Sequence, residues 1–385
     1  MDVRKKMISL LSAVALLITL LLTVWTAQSM VTADEENKFE SPGVPGPVKL
    51  EAEQYGDANH FDNKQNTDGR YSGDMALEVN WEYWDKIQSI EDMAAGFDTT
   101  KTPFVRFVID AEKDGEYTIQ IRFRYVPYDF PEEHEKNPTV VMFVNDRAPE
   151  KLTITTPAGG SQDDTMSITV NLSKGRNILR FTSMTKDFID YIKQYATRKN
   201  SNFYLGLDYI IIPEGLYGVE PQKVEIAAKS AKYYKNMTPS NENQDFWGLK
   251  YDYVGEITPY TLTLRDISFV PYFSMTFTAP IDGYYNIAPI LRYSSRGPVE
   301  LGILVDGVIP KKRPVYPSTD STTVTDREPE FNLYLTQGNH IITFTGLMAP
   351  DENVVVKTTN FYTVIMRGGL EFAQEQEDPM NNDTN

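Results

Sequence analysis

The sequence predicts an all-β protein: two tandem antiparallel β-sandwich domains behind an N-terminal signal peptide. Three observations lead there. The chain has 385 residues, enough for two ordinary domains. Tyrosine, glycine and proline number 23 each, a mix that favours many short strands joined by turns over long helices. A set of strand-like segments also occurs twice, in the same order and at the same spacing.

Arg4-Lys5-Lys6 precede an uncharged apolar run from Met7 to Trp25, and Val31-Thr32-Ala33 offers small residues for cleavage before Asp34. Residues 1–33 therefore read as a signal peptide, which places the protein in the medium or at the cell surface. The run is also long enough for an uncleaved membrane anchor. Cysteine is absent, so disulfides and thiolate chemistry are excluded, and an exported chain of this kind suits a bacterial surface. Residues 34–47 are polar, then rich in proline and glycine, and read as a linker.

The repeat defines the two domains. Phe104-Val105-Arg106-Phe107-Val108-Ile109 and Tyr272-Phe273-Ser274-Met275-Thr276-Phe277 each lead to an Asp-Gly turn, at Asp114-Gly115 and Asp282-Gly283. Asp-Gly supplies the positive φ of tight hairpins. Val141 to Asp146 then matches Gly302 to Gly307, and Val170 to Gly175 matches Leu333 to Gly338. Alternating strands follow, Asn177 to Thr182 and His340 to Thr345. The predicted domains cover 48–216 and 217–373, and the acidic, amide-rich tail 374–385 reads as disordered. Two insertions break the first copy. Asn80 to Thr102 contains a helix start at Ser89-Ile90-Glu91-Asp92. Thr185 to Arg198 places Phe188, Tyr191, Ile192 and Tyr195 at the spacing of an amphipathic helix.

Leu50-Glu51-Ala52-Glu53 alternates, which puts Glu51 and Glu53 on one face of a strand, and Gly206-Leu207-Asp208-Tyr209-Ile210 reads as a second strand. Three acids on two paired strands suit a hard, oxygen-seeking cation such as Ca²⁺, and ordinary solvated strand faces give the same pattern. This first-strand and last-strand pair resembles the calcium-containing β-sandwich carbohydrate-binding modules of families 6 and 35, of jelly-roll, galactose-binding-like fold. Those modules open with Glu-Ala-Glu and close with a strand carrying an aspartate before an aromatic residue and isoleucine. The resemblance implies Glu51, Glu53 and Asp208 as ligands of a structural calcium ion, with carbonyls from the loop around Arg70-Tyr71-Ser72-Gly73. It covers most of the first domain. In the second, Val224-Glu225-Ile226-Ala227 replaces the acidic strand and Phe361 falls near the place of Asp208, so no calcium is expected there.

The resemblance also implies a sugar site in loops at one end of the sandwich, where Asn200 and Asn202 hold the family's asparagine position. Trp81, Tyr83 and Trp84 form the densest aromatic cluster of the chain and offer faces for pyranose stacking, or else pack the insertion onto the core. Tyr125, Tyr128 and Phe130 with Glu132, Glu133 and Glu135 form a further candidate loop, or a solvated hairpin tip. Catalysis finds little support: Glu51 and Glu53 are better used by a metal than for glycoside hydrolysis, and Gly159-Gly160-Ser161 lacks the nucleophile elbow. His60, His134 and His340 have no metal-binding spacing and read as surface or loop residues. The net charge of -17, which becomes -19 on loss of three basic residues and one acid from 1–33, argues against nucleic acid. The expected function is therefore exported, non-catalytic binding of an extracellular polysaccharide or oligosaccharide. The alternatives are a cell-surface structural or adaptor protein that binds another protein, and an ancillary part of a glycan-degrading enzyme or sugar-uptake complex.

Overall fold

The computed structural model describes residues 39–65, 75–79, 87–95, 97, 101–125, 136–155, 165–195, 205–235, 237–239, 247–249, 271–311, 313, 315–316, 318–319, 325–327, 331–348 and 355–373. The stretches read as signal peptide and tail lie outside the described residues. Among the described residues no helix is long and apolar enough to cross a membrane.

The first sandwich comprises β1 (Val48–Glu51), α1 (Ala52–Tyr55), β2 (Asp57–Asn59), β3 (Phe61–Gln65), β4 (Met75–Val79), α2 (Ile90–Ala95), β5 (Phe104–Ala111), β6 (Gly115–Tyr125), β7 (Thr139–Val144), β8 (Glu150–Thr153), β9 (Met166–Leu172), β10 (Gly175–Met184), α3 (Lys186–Tyr195), β11 (Leu205–Ile212) and β12 (Leu216–Val219). One layer runs β9-β6-β11-β4-β3, with β1 also on β11. The other runs β12-β5-β10-β7-β8, with β2 on β5. Alternate residues of each strand face the space between the layers. There Phe181 of β10 meets Phe107 of β5 and Phe123 of β6 edge-on, at 6.2 and 6.1 Å between ring centres.

The second sandwich comprises β13 (Lys223–Ala227), β14 (Tyr272–Ala279), β15 (Gly283–Arg296), β16 (Val299–Val305), β17 (Phe331–Leu335), β18 (Gly338–Met348) and β19 (Val355–Arg367), with shorter strands at its edges. Its layers are β14-β18-β16 and β17-β15-β19-β13. At its centre Phe273 stacks on Phe344 at 5.1 Å between ring centres and meets Phe361 edge-on at 5.0 Å. The two sandwiches hold separate hydrophobic clusters, one drawn from Leu50 to Leu216, the other from Ile226 to Leu370. Their pairings correspond: β5–β10 with β14–β18, β6–β9 with β15–β17, β6–β11 with β15–β19, and β1–β11 with β13–β19, all antiparallel.

The Asp-Gly turns depart from the expected hairpins. β5 and β6 lie in different layers, as do β14 and β15, so each turn crosses between sheets. Gly283 has a φ of 145°, whereas Gly115 does not enter the left-handed region. The aspartates serve as caps instead: Asp114 Oδ1 accepts from Lys174 N, and Asp282 Oδ1 from Gln337 N, each at 2.7 Å. The tyrosine two residues beyond each glycine donates its hydroxyl to a carbonyl four residues earlier, Tyr117 to Lys113 and Tyr285 to Ile281.

Ser89 caps α2, its Oγ accepting from Asp92 N at 3.0 Å. Helix α3 buries Phe188, Ile189 and Ile192, while Tyr191 and Tyr195 are only half-buried, so the buried stripe is rotated from the expected one. His340 is no surface residue. It is buried in β18, with Nδ1 2.6 Å from Asp306 Oδ2 and Nε2 2.7 Å from the Thr336 carbonyl oxygen.

The outward faces of β5 and β10 carry Arg106, Asp110, Arg176 and Arg180, all buried. The second sandwich lies against them. Arg176 pairs with Asp110 through Nε–Oδ1 at 2.9 Å and Nη2–Oδ2 at 3.1 Å, and its guanidinium stands 5.2 Å from the centre of the Tyr285 ring. Its third nitrogen donates to the Gly368 carbonyl. Gly175 and Gly283 permit this approach: a Cβ on Gly175 would lie 2.0 Å from the Asp282 carbonyl oxygen, and one on Gly283 2.3 Å from Arg176 N. A parallel bridge between Arg176 and Gly283 thereby joins the facing layers into one 14-stranded sheet.

Two expectations follow from this contact. Arg176→Ala leaves Asp110 buried without its cation, and urea unfolding should show a loss of about 3–5 kcal/mol. The Tyr285 phenol is pushed up to about 12, chiefly by burial. Its raised value means that the stability it contributes is complete below the ordinary phenol range near 10 and is lost as pH rises toward 12. Wild type should therefore lose about 2–3 kcal/mol relative to Tyr285→Phe over that interval, measured by urea titration at successive pH values.

Candidate functional site

The three candidate acids converge where β11 changes neighbours. Along one edge, β11 pairs with β4 at Gly206 and Leu207 and with β1 from Tyr209 to Ile212. Asp208 lies between, and on the opposite edge it is the extra residue of a bulge, because Leu207 faces Phe123 while Tyr209 faces Arg122. A bulge re-aims the side chain it carries. Glu51 ends β1 opposite Tyr209.

The expected alternation of Glu51 and Glu53 on one strand is corrected by the structure. The strand stops at Glu51, and Glu53 lies in the single helical turn α1. Ala52 and Tyr55, at i and i+3 of this turn, are buried, an apolar anchor that a continuing strand would place on opposite faces. Glu53 nevertheless stays close enough for Glu51 and Asp208 to act on it electrostatically.

Each acid has a different environment. Asp208 is fully buried and pairs with Arg122, Nε to Oδ2 at 3.1 Å. Glu51 pairs with Lys49, whose ammonium also stands 5.2 Å from the centre of the Tyr209 ring. Lys49 is held above its ordinary value by its bond to Glu51. Glu53 Oε2 is buried and has no hydrogen-bond partner. Burial pushes the Glu53 carboxyl up, and the charges of Glu51 and Asp208 push the same way.

Oxygen donors of this kind suit Ca²⁺, and a buried carboxylate oxygen without a partner is what such an ion would satisfy. Among the described residues no three acidic or histidine side chains are gathered tightly enough to hold an ion as they stand. Lys49 pairs with Glu51 and Arg122 with Asp208, so two of the three acids already have a cation beside them. Sequence reasoning missed both. Lys49 was legible, two positions before Glu51 on the same strand face; Arg122 carries no local signal.

Trp81, Tyr83, Trp84, Asn200 and Asn202 lie outside the described residues, as do Tyr128, Phe130, Glu132, Glu133, Glu135 and the Arg70–Gly73 loop. The strand ends that flank the tryptophan and asparagine segments are described. Glu78 pairs with Gly206, which brings the end of β4 and the start of β11 side by side. In the second sandwich, Glu225 of β13 pairs with Lys223, and Phe361 is core.

No family model matches the chain, and no curated protein matches it. Among solved structures it is similar to a family 35 carbohydrate-binding module from Cellvibrio japonicus, at 16% identity and a TM-score of 0.29, over 44% of this chain and 96% of that one. A family 35 module from Paenibacillus barcinonensis gives 16% and 0.26, over 43% and 97%. An exo-β-1,3-galactanase from Phanerochaete chrysosporium, solved with β-1,3-galactotriose, gives 17% and 0.25, over 43% of this chain and 29% of that one.

Because the Glu53 carboxyl is raised, its ionisation opposes folding. The sign is that of an acid whose stability contribution is full below its ordinary value of 4.5 and declines above it. Glu53→Gln should therefore melt higher than wild type at pH 7 in a chelator, and the gain should vanish below about pH 4.5 in thermal melts at both pH values.

Proposed function

We propose that the chain is an exported, non-catalytic protein that binds an extracellular polysaccharide or oligosaccharide through its first sandwich, with a structural calcium ion held by Glu51, Glu53 and Asp208. One observation carries the reading. The acidic first strand and the Asp208-Tyr209-Ile210 strand, far apart in sequence, are hydrogen-bonded neighbours, and Glu53 presents a buried, partnerless oxygen at their junction. The pairing of the two strands fits the resemblance of Glu51-Ala52-Glu53 and Asp208-Tyr209-Ile210 to carbohydrate-binding modules of families 6 and 35, although Glu53 lies in the turn beyond the strand.

The saccharide is proposed to lie over Trp81, Tyr83 and Trp84 with Asn200 and Asn202 at hand. The end of β4, which precedes the tryptophan segment, pairs with the start of β11, which follows the asparagine segment. Aromatic faces supply stacking and amides bond the hydroxyls. The domain limits 48–216 and 217–373, the signal peptide 1–33 and the absence of nucleic-acid binding belong to the same proposal. Separate hydrophobic clusters support the division, and the acidic charge supports the last point.

A glycan array with the mature chain tests the reading. Binding to at least one polysaccharide class is expected, and Trp84→Ala should weaken it by about tenfold, the equivalent of ~1.4 kcal/mol, with little change in melting temperature. Binding unaltered by Trp84→Ala, together with a stability loss of about 3–5 kcal/mol, would assign this tryptophan to the core.

A further inference from the structure

The internal repeat carries the same polar clasp in both sandwiches, with different chemistry in each. In the first, Asn145 follows β7 with a φ of 52°; in the second, Asp306 follows β16 with a φ of 51°. Asn145 N donates to the Ile178 carbonyl of β10 at 2.9 Å, and Asp306 N to the Ile341 carbonyl of β18 at 2.8 Å. Each side chain takes the return bond on Oδ1, from Ile178 N at 2.7 Å and from Ile341 N at 2.8 Å. Local bonds of this kind let Asn and Asp hold a left-handed backbone that most side chains avoid.

The remaining bonds differ. In the first sandwich Asn145 Nδ2 donates to Asn177 Oδ1 at 2.9 Å, and Asn177 Nδ2 donates to the Ser173 carbonyl at 2.7 Å. In the second, His340 stands at the place of Asn177 and Thr336 at that of Ser173. His340 Nδ1 lies 2.6 Å from Asp306 Oδ2, and its Nε2 lies 2.7 Å from the Thr336 carbonyl oxygen. A carbonyl oxygen can only accept, so Nε2 carries a proton. A second proton lies between Nδ1 and Oδ2, because without it two lone pairs would face each other at hydrogen-bond distance. The clasp of the second sandwich therefore holds an ionisable proton that the amide clasp of the first lacks.

The surroundings decide what this proton can do. Thr336 takes Nε2 and the ring is buried, so the pair cannot reach a substrate as a general base. The Asp306 side chain is half-exposed, which opens the shared proton to solvent. Strand β14 sets Phe277 opposite His340, and the short strand Glu371–Phe372 sets Phe372 opposite Phe277. Glu371 falls in line with Thr278 and Asn339, on the other face of the sheet. The neighbouring ends of β16 and β17 are Val305 and Leu335. Among the described residues no charged side chain besides Asp306 bonds the ring.

We propose that Asp306 and His340 form a pH-sensitive latch between the end of β16 and the start of β18. It is closed while the pair holds its shared proton and opens when the proton leaves. The Asn145–Asn177 clasp of the first sandwich stays closed throughout. The closed clasp binds the proton, and an unfolded histidine holds it only below about pH 6.5. The stability that the proton adds is thus complete below that value and is lost as pH rises above it.

Hydrogen exchange on the full chain tests this, read as protection factors so that the ordinary effect of pH on exchange cancels. From about pH 6 to about pH 9, protection of the Asp306 and Ile341 amides should fall by about tenfold, and that of Asn145 and Ile178 should stay constant. Combining Asp306→Asn with His340→Asn gives the second sandwich the amide pair of the first and should abolish the fall. Nitrogen NMR of the imidazoles, with the His340 signals assigned by their loss in that variant, should show a ring proton leaving over the same interval. Equal protection at both pH values in wild type, or an undiminished fall in the double variant, would overturn the proposal. Should the double variant fail to fold, the wild-type comparison between the two clasps decides.

Discussion

The buried guanidinium of Arg176 is the group around which the two sandwiches are arranged. An arginine cannot be taken out of water without a full set of acceptors, and the first sandwich supplies only part of that set, the Asp110 carboxylate. The Gly368 carbonyl and the face of Tyr285 supply more, and both belong to the second sandwich. The outward face of β5 and β10 is thus unsuited to solvent and unsuited to a purely apolar partner. Arg180 follows the same rule with different means: its guanidinium lies 4.5 Å from the Phe97 ring centre and bonds Asp146, which in turn accepts from Asn332 N of the second sandwich. Such bonds are directional, so they fix one orientation where an oily contact would tolerate sliding.

What the sequence disclosed and what it concealed divide along this line. Alternation in Asn177–Thr182 marks a strand with two distinct faces, because side-chain direction follows from the pleat alone. It cannot say what the second face meets. Arg106, Arg176 and Arg180 have the spacing of a solvated strand face, and what meets Arg106 and Arg176 there, Asn286 and the Gly368 carbonyl, lies more than a hundred residues on. Glu53 was misplaced for a related reason: Glu-Ala-Glu suits a strand, but burial of Ala52 and Tyr55 together decides for a helical turn. The tryptophan segment was a candidate by its aromatic density, and the asparagine segment only through the resemblance.

The Asp-Gly-x-Tyr motif shows a pattern recognised for the wrong reason. Hairpin chemistry made it conspicuous, yet the turn crosses between layers, where strand twist imposes no primed geometry. Its aspartate closes a different turn, the one entering β10 or β18, and its tyrosine ties the turn back on itself. Gly175 enters the first of these turns and Gly283 the second crossing, so the residues that build each sandwich also set the distance at which the two meet.

The same reasoning bears on how the proposed cation site would form. Its acids are held by two cations of unequal tenure. Lys49 is substantially exposed, and an exposed pair such as Lys49–Glu51 contributes about 0–1 kcal/mol, so its release for another cation is a small perturbation. Arg122–Asp208 is buried on both sides, and breaking it would strand a charge at a cost of about 3–5 kcal/mol. A divalent cation entering beside Glu53 would therefore contend with Lys49 and leave Arg122 in place. In the proposed exchange Arg122 would stay on Asp208 in its bulge, and Lys49 would turn out to solvent. Lys49 and Arg122 thus differ in how firmly they hold their acids, and Glu53, raised by burial beside both, would gain most from the proposed exchange.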